Sequence, residues 1–144
     1  MTVAAILRHK GTEIASVAPT TRIANVTTTL AEWRIGAVLV CDSAGQLLGI
    51  VSERDIVRSL AKDGAACLDM TAAQLMTRVL HTVTPQTSTA DAMALITASR
   101  VRHLPVLDGD HLAGMISIGD VVHAQLGDMD QEVDSLRAYV AGSA

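Results

Sequence analysis

The hydrophobic and polar positions of this chain spell the same string of elements twice. In the first half, residues 13–17 read as a short strand, and Thr20-Thr21 stand as a cap before Ile23, Val26, Leu30 and Trp33 at helical spacing. Residues 37–41 are a continuous apolar run, Asp42-Ser43-Ala44-Gly45 is a turn, and residues 47–51 return as a strand, which predicts a β-hairpin. Ser52 then starts a helix carrying Ile56, Val57 and Leu60. The second half predicts a strand at 79–83, a helix at 88–100, strands at 103–107 and 112–117, and a helix through Val121 and Val122. Each half is β-α-β-β-α, an α/β (α+β) unit. Strands apolar on both faces need cover on both sides. Helices on one face and the other repeat on the opposite face would supply it.

The duplication holds position by position. Val17 pairs with Val83, Pro19 with Pro85, Thr21 with Thr87, Val40 with Val106 and Asp42 with Asp108, all 66 positions apart. From Leu47 and Leu112 onward the offset is 65, through Gly49 and Gly114, Ser52 and Ser117, and Asp55 and Asp120. One residue is therefore missing from the second copy just after Asp108, in a turn, where a length change is best tolerated. A single duplication of this period fits two half-domains that close on each other rather than a solenoid.

Three segments lie outside the repeated pattern. Residues 64–71 form a small-residue and polar connector, and residues 72–76 read as one helical turn leading into the second copy, as residues 3–8 lead into the first. The division expected is 1–63 for the first repeat with its leading turn, 64–71 for the connector, 72–127 for the second repeat, and 128–144 for a C-terminal amphipathic helix and tail. In that tail Met129, Val133, Leu136 and Val140 fall on one stripe. The stripe packs either on its own domain or across a dimer.

Composition narrows the function classes. With 49% apolar residues but Trp33 and Tyr139 as the only aromatics, the core must be built from aliphatic side chains. No apolar run approaches the roughly 20 residues of a membrane span, and no signal-peptide pattern opens the chain, so a soluble, cytoplasmic protein is expected. The net charge of −4 gives no electrostatic case for nucleic acid. Cys41 and Cys67 form no Cys-x-x-Cys, and the five histidines show no metal-ligand spacing, so free thiols and no metal requirement are the expectation.

The element with chemical potential is Ser-x-x-Asp, at Ser52 to Asp55 and again at Ser117 to Asp120, each directly after an apolar strand. Such a pattern caps a helix by satisfying its orphan N–H groups. It also sets a hydroxyl and a carboxylate at a helix N-terminus, where the carboxylate can accept hydrogen bonds from vicinal ribose hydroxyls. The two readings are compatible.

Val-x-Pro at the start, an apolar strand ending in Asp, a short turn, then Gly-hydrophobic-hydrophobic-Ser-x-x-Asp resembles the cystathionine β-synthase (CBS) domain. Two in tandem, over about residues 13 to 126, resemble a CBS pair or Bateman module of the standalone type. The resemblance implies two repeats packed sheet to sheet about a pseudo-two-fold, leaving two clefts for AMP, ADP, ATP, NAD(H) or S-adenosylmethionine. It implies ribose binding by Asp55 and Asp120, with Ser52 and Ser117 near ribose or phosphate. Adenine would be read at Ile35-Gly36-Ala37 and at Val101-Arg102-His103. The copies differ there, because Arg102 and His103 add donors suited to phosphate, while Arg54 has Gly119 as its counterpart. Unequal sites are expected.

No dinucleotide loop, phosphate loop, zinc-protease motif or nucleophile elbow occurs in the chain, so no enzyme activity is expected. The expected function is a regulatory adenine-nucleotide sensor acting through conformation, a homodimer or an unidentified protein partner. A ligand-free interaction module is the alternative, and an undeclared nucleotide hydrolase the third.

Overall fold

The computed structural model describes residues 1–11, 13–79 and 81–142. Along the chain these form α1 (Val3–Lys10), β1 (Ser16–Val17), α2 (Ile23–Trp33), β2 (Ala37–Cys41), β3 (Leu47–Ser52), α3 (Glu53–Asp63), a 3-10 turn (Gly64–Asp69), α4 (Ala72–Leu75), β4 (Thr77–Arg78), α5 (Thr89–Ser99), β5 (His103–Asp108), β6 (His111–Ser117) and α6 (Ile118–Gly142). They gather into two compact units, Glu13–Leu80 and Met1–Thr12 with His81–Ala144. Among the described residues no helix is long and apolar enough to cross a membrane.

In the unit Glu13–Leu80 a four-stranded sheet runs β1-β2-β3-β4, with β1 parallel to β2 and the other neighbours antiparallel. Val38 and Val40 of β2 join Val51, Ile56, Cys67 and the α2 residues Ile23, Val26 and Leu30 in one core. Ala37 and Leu39 alternate with them, point to the other face, and are also fully buried. That double burial is why β2 reads as a continuous apolar run.

In the other unit β5 and β6 form the antiparallel hairpin, and Val83 adds a single parallel bridge to Val106. Its core joins Val3, Ile6 and Leu7 of α1 to Ile96, Leu104, Val106, Ile116 and Val121. The two hairpins differ by one residue at the tip: Cys41 faces Leu47, whereas Leu107 faces Leu112. The register change in the sequence therefore falls in this loop. A glycine at positive φ turns each loop, Gly45 at 82° and Gly109 at 61°.

The leading segments pack with the repeat that they do not precede: α1 joins the core of the second repeat and α4 that of the first, whose sheet β4 extends. The contacts are the same twice over. Val3 and Ala4 donate backbone N–H bonds to the carbonyls of Thr87 and Pro85 at 2.8 Å each, and Ala72 and Ala73 donate to Thr21 and Pro19 at 2.7 and 2.9 Å. Orphan N–H groups at the start of each short helix are thus satisfied by the duplicated Pro-x-Thr segment. Glycines admit the side chains that follow. A Cβ on Gly114 would lie 2.8 Å from Leu7 Cδ2, and one on Gly49 would lie 2.7 Å from Met76 Sδ and 2.8 Å from the Thr77 carbonyl oxygen.

Other expectations shift for local reasons. Thr20-Thr21 do not cap α2; Arg22 stands at the N-cap without a side-chain bond, and the Ile23 N–H reaches the Met70 carbonyl at 2.8 Å. The strand expected at 13–17 is regular only at Ser16–Val17. The strand expected at 79–83 is replaced by β4 pairing with β3 in one unit and the Val83 bridge in the other, with Leu80 outside the described residues. The separate tail helix expected at 128–144 continues the preceding one as α6, which runs through Gly142, and Ser143 and Ala144 lie outside the described residues. Met129, Val133, Leu136 and Val140 are 47–63% exposed, so their stripe is not packed into its own unit.

Candidate functional site

In the unit Glu13–Leu80 the chain leaves β3 at Ser52 and enters α3 at Glu53. Ser52 has extended backbone angles and caps the helix: its Oγ accepts the Asp55 N–H at 3.3 Å, while Asp55 Oδ2 accepts the Ser52 N–H at 2.9 Å and the Ser52 hydroxyl at 3.0 Å. The other carboxylate oxygen accepts the Thr77 hydroxyl at 3.3 Å. The Glu53 N–H donates to the Gly36 carbonyl at 2.9 Å, and Ala37 sits opposite Ser52 in the ladder. Ile35, Gly36, Ala37, Ser52 and Asp55 are thereby brought to one end of the hairpin. Arg54 occupies the exposed side of the first turn of α3.

The second copy repeats the frame. The Ser117 N–H donates to Asp120 Oδ2 at 2.8 Å, and Ser117 Oγ accepts the Asp120 N–H at 3.1 Å. The Ile118 N–H reaches the Arg102 carbonyl at 2.8 Å, and His103 pairs with Ser117 across the ladder. Arg102, His103, Ser117 and Asp120 therefore share one corner. Among the described residues neither Arg102 nor Arg54 takes part in an ion pair. Gly119, the counterpart of Arg54 in the repeat, leaves that one position of the first turn of α6 without a side chain.

A residue that the motif reading did not include completes this corner. Lys10, the last residue of α1, places its Nζ 2.8 Å from Asp120 Oδ2 and 3.0 Å from the Met115 carbonyl. Burial pushes the Asp120 carboxyl up, but the Lys10 hydrogen bond, the Ser117 backbone N–H and the Lys10 charge together hold it below its ordinary value. A cavity of about 310 Å³ adjoins the pair, lined among others by Ile6, His9, Lys10, Asp120, His123 and Ala124. The His9 and His123 rings, both at its wall, stack with centroids 6.2 Å apart.

Thr77 and Lys10 escaped the motif reading because they lie 22 and 110 positions from the carboxylates they meet. Both stand at the end of a leading segment, so the exchange of those segments delivers them. Chemically, each corner offers a carboxylate acceptor at a helix N-terminus beside the start of a strand, which suits a diol. Among the described residues no group of three or more His, Cys, Asp or Glu side chains is placed to hold a metal ion.

The CBS domain family matches residues 3–62 and again residues 72–127. The chain belongs to the CBS-domain family. Its two CBS matches follow chain order, while the compact units exchange the leading segments. The mitochondrial CBS domain-containing protein CBSX3 of Arabidopsis thaliana is 37% identical over 78% of this chain, which spans 57% of that protein's length. Among solved structures, the CBS-domain protein ATU1752 of Agrobacterium tumefaciens superposes with a TM-score of 0.83 at 40% identity, covering 86% of this chain and 92% of that one. The CBS domain protein PAE2072 of Pyrobaculum aerophilum, solved with AMP, has a TM-score of 0.75 at 26% identity over 83% of this chain and 89% of its own.

Proposed function

We propose that this chain is a regulatory CBS pair that binds adenine nucleotides, AMP first among them, at the two Ser-x-x-Asp corners. The observation that carries the reading is the duplicated capping box, whose carboxylate lies beside the backbone at the start of β2 or β5. The AMP complex of PAE2072 supports the choice of ligand. Asp55 and Asp120 accept the ribose hydroxyls, and Ser52 and Ser117 lie near ribose or phosphate. Ile35-Gly36-Ala37 and Val101-Arg102-His103 face the base, with Arg54, Arg102 and His103 as the donors assigned to phosphate. ADP, ATP, NAD(H) and S-adenosylmethionine are the further candidates.

A regulatory role is favoured over nucleotide hydrolysis. Burial, and then the neighbouring Asp42 charge, push the Cys41 thiol up, which keeps it protonated and a poor nucleophile. Both carboxylates are engaged in helix caps, and none of the bonds given above joins either of them to a histidine or cysteine. The two unpaired cysteines agree with a reducing compartment such as the cytoplasm. Thermal unfolding with each nucleotide is the test: AMP at about a hundred times its dissociation constant adds roughly 2.7 kcal/mol. No shift with any of the candidates removes the nucleotide reading.

The exposed stripe on α6 favours a second, compatible element: self-association through that helix, which couples occupancy to assembly. Native mass spectrometry of Leu136→Asp against the parent protein reads it. Loss of the dimer supports the α6 contact, and an unchanged assembly, or a monomeric parent, rejects it.

A further inference from the structure

We propose that Lys10 is an internal competitor for the second carboxylate, so that the Asp120 corner binds nucleotide more weakly than the Asp55 corner until Lys10 is displaced. The inference rests on the reading of both corners as ribose sites.

The two carboxylates have the same cap and different outer partners. Among the described residues Asp55 meets only neutral side-chain donors, the Ser52 hydroxyl at 3.0 Å and the Thr77 hydroxyl at 3.3 Å. A ribose hydroxyl replacing Thr77 exchanges one neutral donor for another, and the displaced contact is long. Asp120 instead accepts an ammonium at 2.8 Å. Both carboxylates take charge-assisted bonds, but the Lys10 contact adds the attraction of a full opposite charge, so ribose hydroxyls must share the carboxylate with Lys10 or displace it at a cost.

Lys10 is held ready for this role. Its Nζ has a second acceptor in the Met115 carbonyl at 3.0 Å. The helix that carries it is docked by Leu7 over Gly114 and by the Val3 bond to Thr87. A cation in the last turn of α1 also faces the negative end of that helix, which favours the position independently of Asp120. Yet the Lys10 side chain is about one-third exposed (36%), so it has an open path to solvent when displaced. The second copy thus has more cations near its corner than the first, through Arg102 and Lys10, and the nearer of them acts against the diol.

Isothermal titration with AMP decides the matter, using the parent chain, Lys10→Met, Lys10→Gln and Asp55→Ala. The expected result is two unequal sites in the parent, with the tighter one weakened roughly thirtyfold in Asp55→Ala. Lys10→Met then tightens the weaker site about fivefold and leaves the tighter one alone, a change of about 1 kcal/mol. Lys10→Gln gives the same direction, so a folding defect in one variant does not decide the outcome. Equal sites in the parent overturn the proposal. So does a weaker or unchanged second site in both Lys10 variants, which makes Lys10 a phosphate donor or a bystander while leaving the nucleotide reading intact. Absence of AMP binding in every protein overturns the nucleotide reading for AMP and this proposal with it.

Discussion

The corners at Asp55 and Asp120 come from one duplicated motif and end in different chemistry. Each closes a helix cap with a carboxylate, and each is tied by a backbone bond to the start of the preceding strand. What differs arrives from outside the motif: a hydroxyl from Thr77 at the first, an ammonium from Lys10 at the second. The lesson is that a copied motif reproduces the hydrogen bonds of its backbone N–H groups, because those depend on a spacing of three. It does not reproduce its environment, because the residues that complete each corner come from the end of a leading segment. Those ends were free to diverge.

The largest effect that bears on this comparison concerns the glycines that admit the leading segments. Gly49→Ala sets a methyl against the Thr77 carbonyl, a backbone atom that cannot turn aside, and should destabilise the chain by up to about 3 kcal/mol in urea unfolding. Gly114→Ala meets only the flexible end of Leu7, so about 1 kcal/mol or less is expected. Equal costs in the two variants would mean that the leading segments are held by something other than this close approach.

Next in size is the ligand response. Asp55→Ala and Asp120→Ala each remove a charged acceptor and should cost about 2 kcal/mol of AMP affinity at their own corner, roughly thirtyfold by titration. If both substitutions abolish binding together, the two corners serve one site rather than two.

The caps themselves should behave alike. Ser52→Ala and Ser117→Ala each remove a side-chain acceptor from a helix N-terminus, and a loss of about 1 kcal/mol is expected from either. A marked inequality would show that the duplicated local geometry is less equivalent than its bond lengths.

The smallest effect is electrostatic. The Asp120 carboxyl is held below its ordinary value in the folded chain, so its contribution to stability is present above the ordinary carboxylate range and is lost as pH falls through the lowered folded value. Lys10→Met should therefore be less stable than the parent at pH 7 by about 0.2 to 1 kcal/mol, the range for a partly exposed pair. The two proteins should converge in urea unfolding as the pH drops below about 4. A gap that stays constant with pH would assign the loss to packing of the lysine stem.

The amino-acid sequence by itself determined the duplicated β-α-β-β-α pattern, the hairpins, the one-residue deletion in the second turn and the two Ser-x-x-Asp caps. All of these are set within a few residues of one another, by hydrophobic period, turn chemistry and hydrogen bonds that span three or four positions. Only the tertiary structure decided which repeat each leading segment joins, and hence that Thr77 meets Asp55 and Lys10 meets Asp120. It also decided that the α6 stripe is left exposed by its own unit. Such pairings depend on chain paths closing over tens to more than a hundred residues, where a lysine at the end of a helix carries no local mark of the carboxylate it will meet.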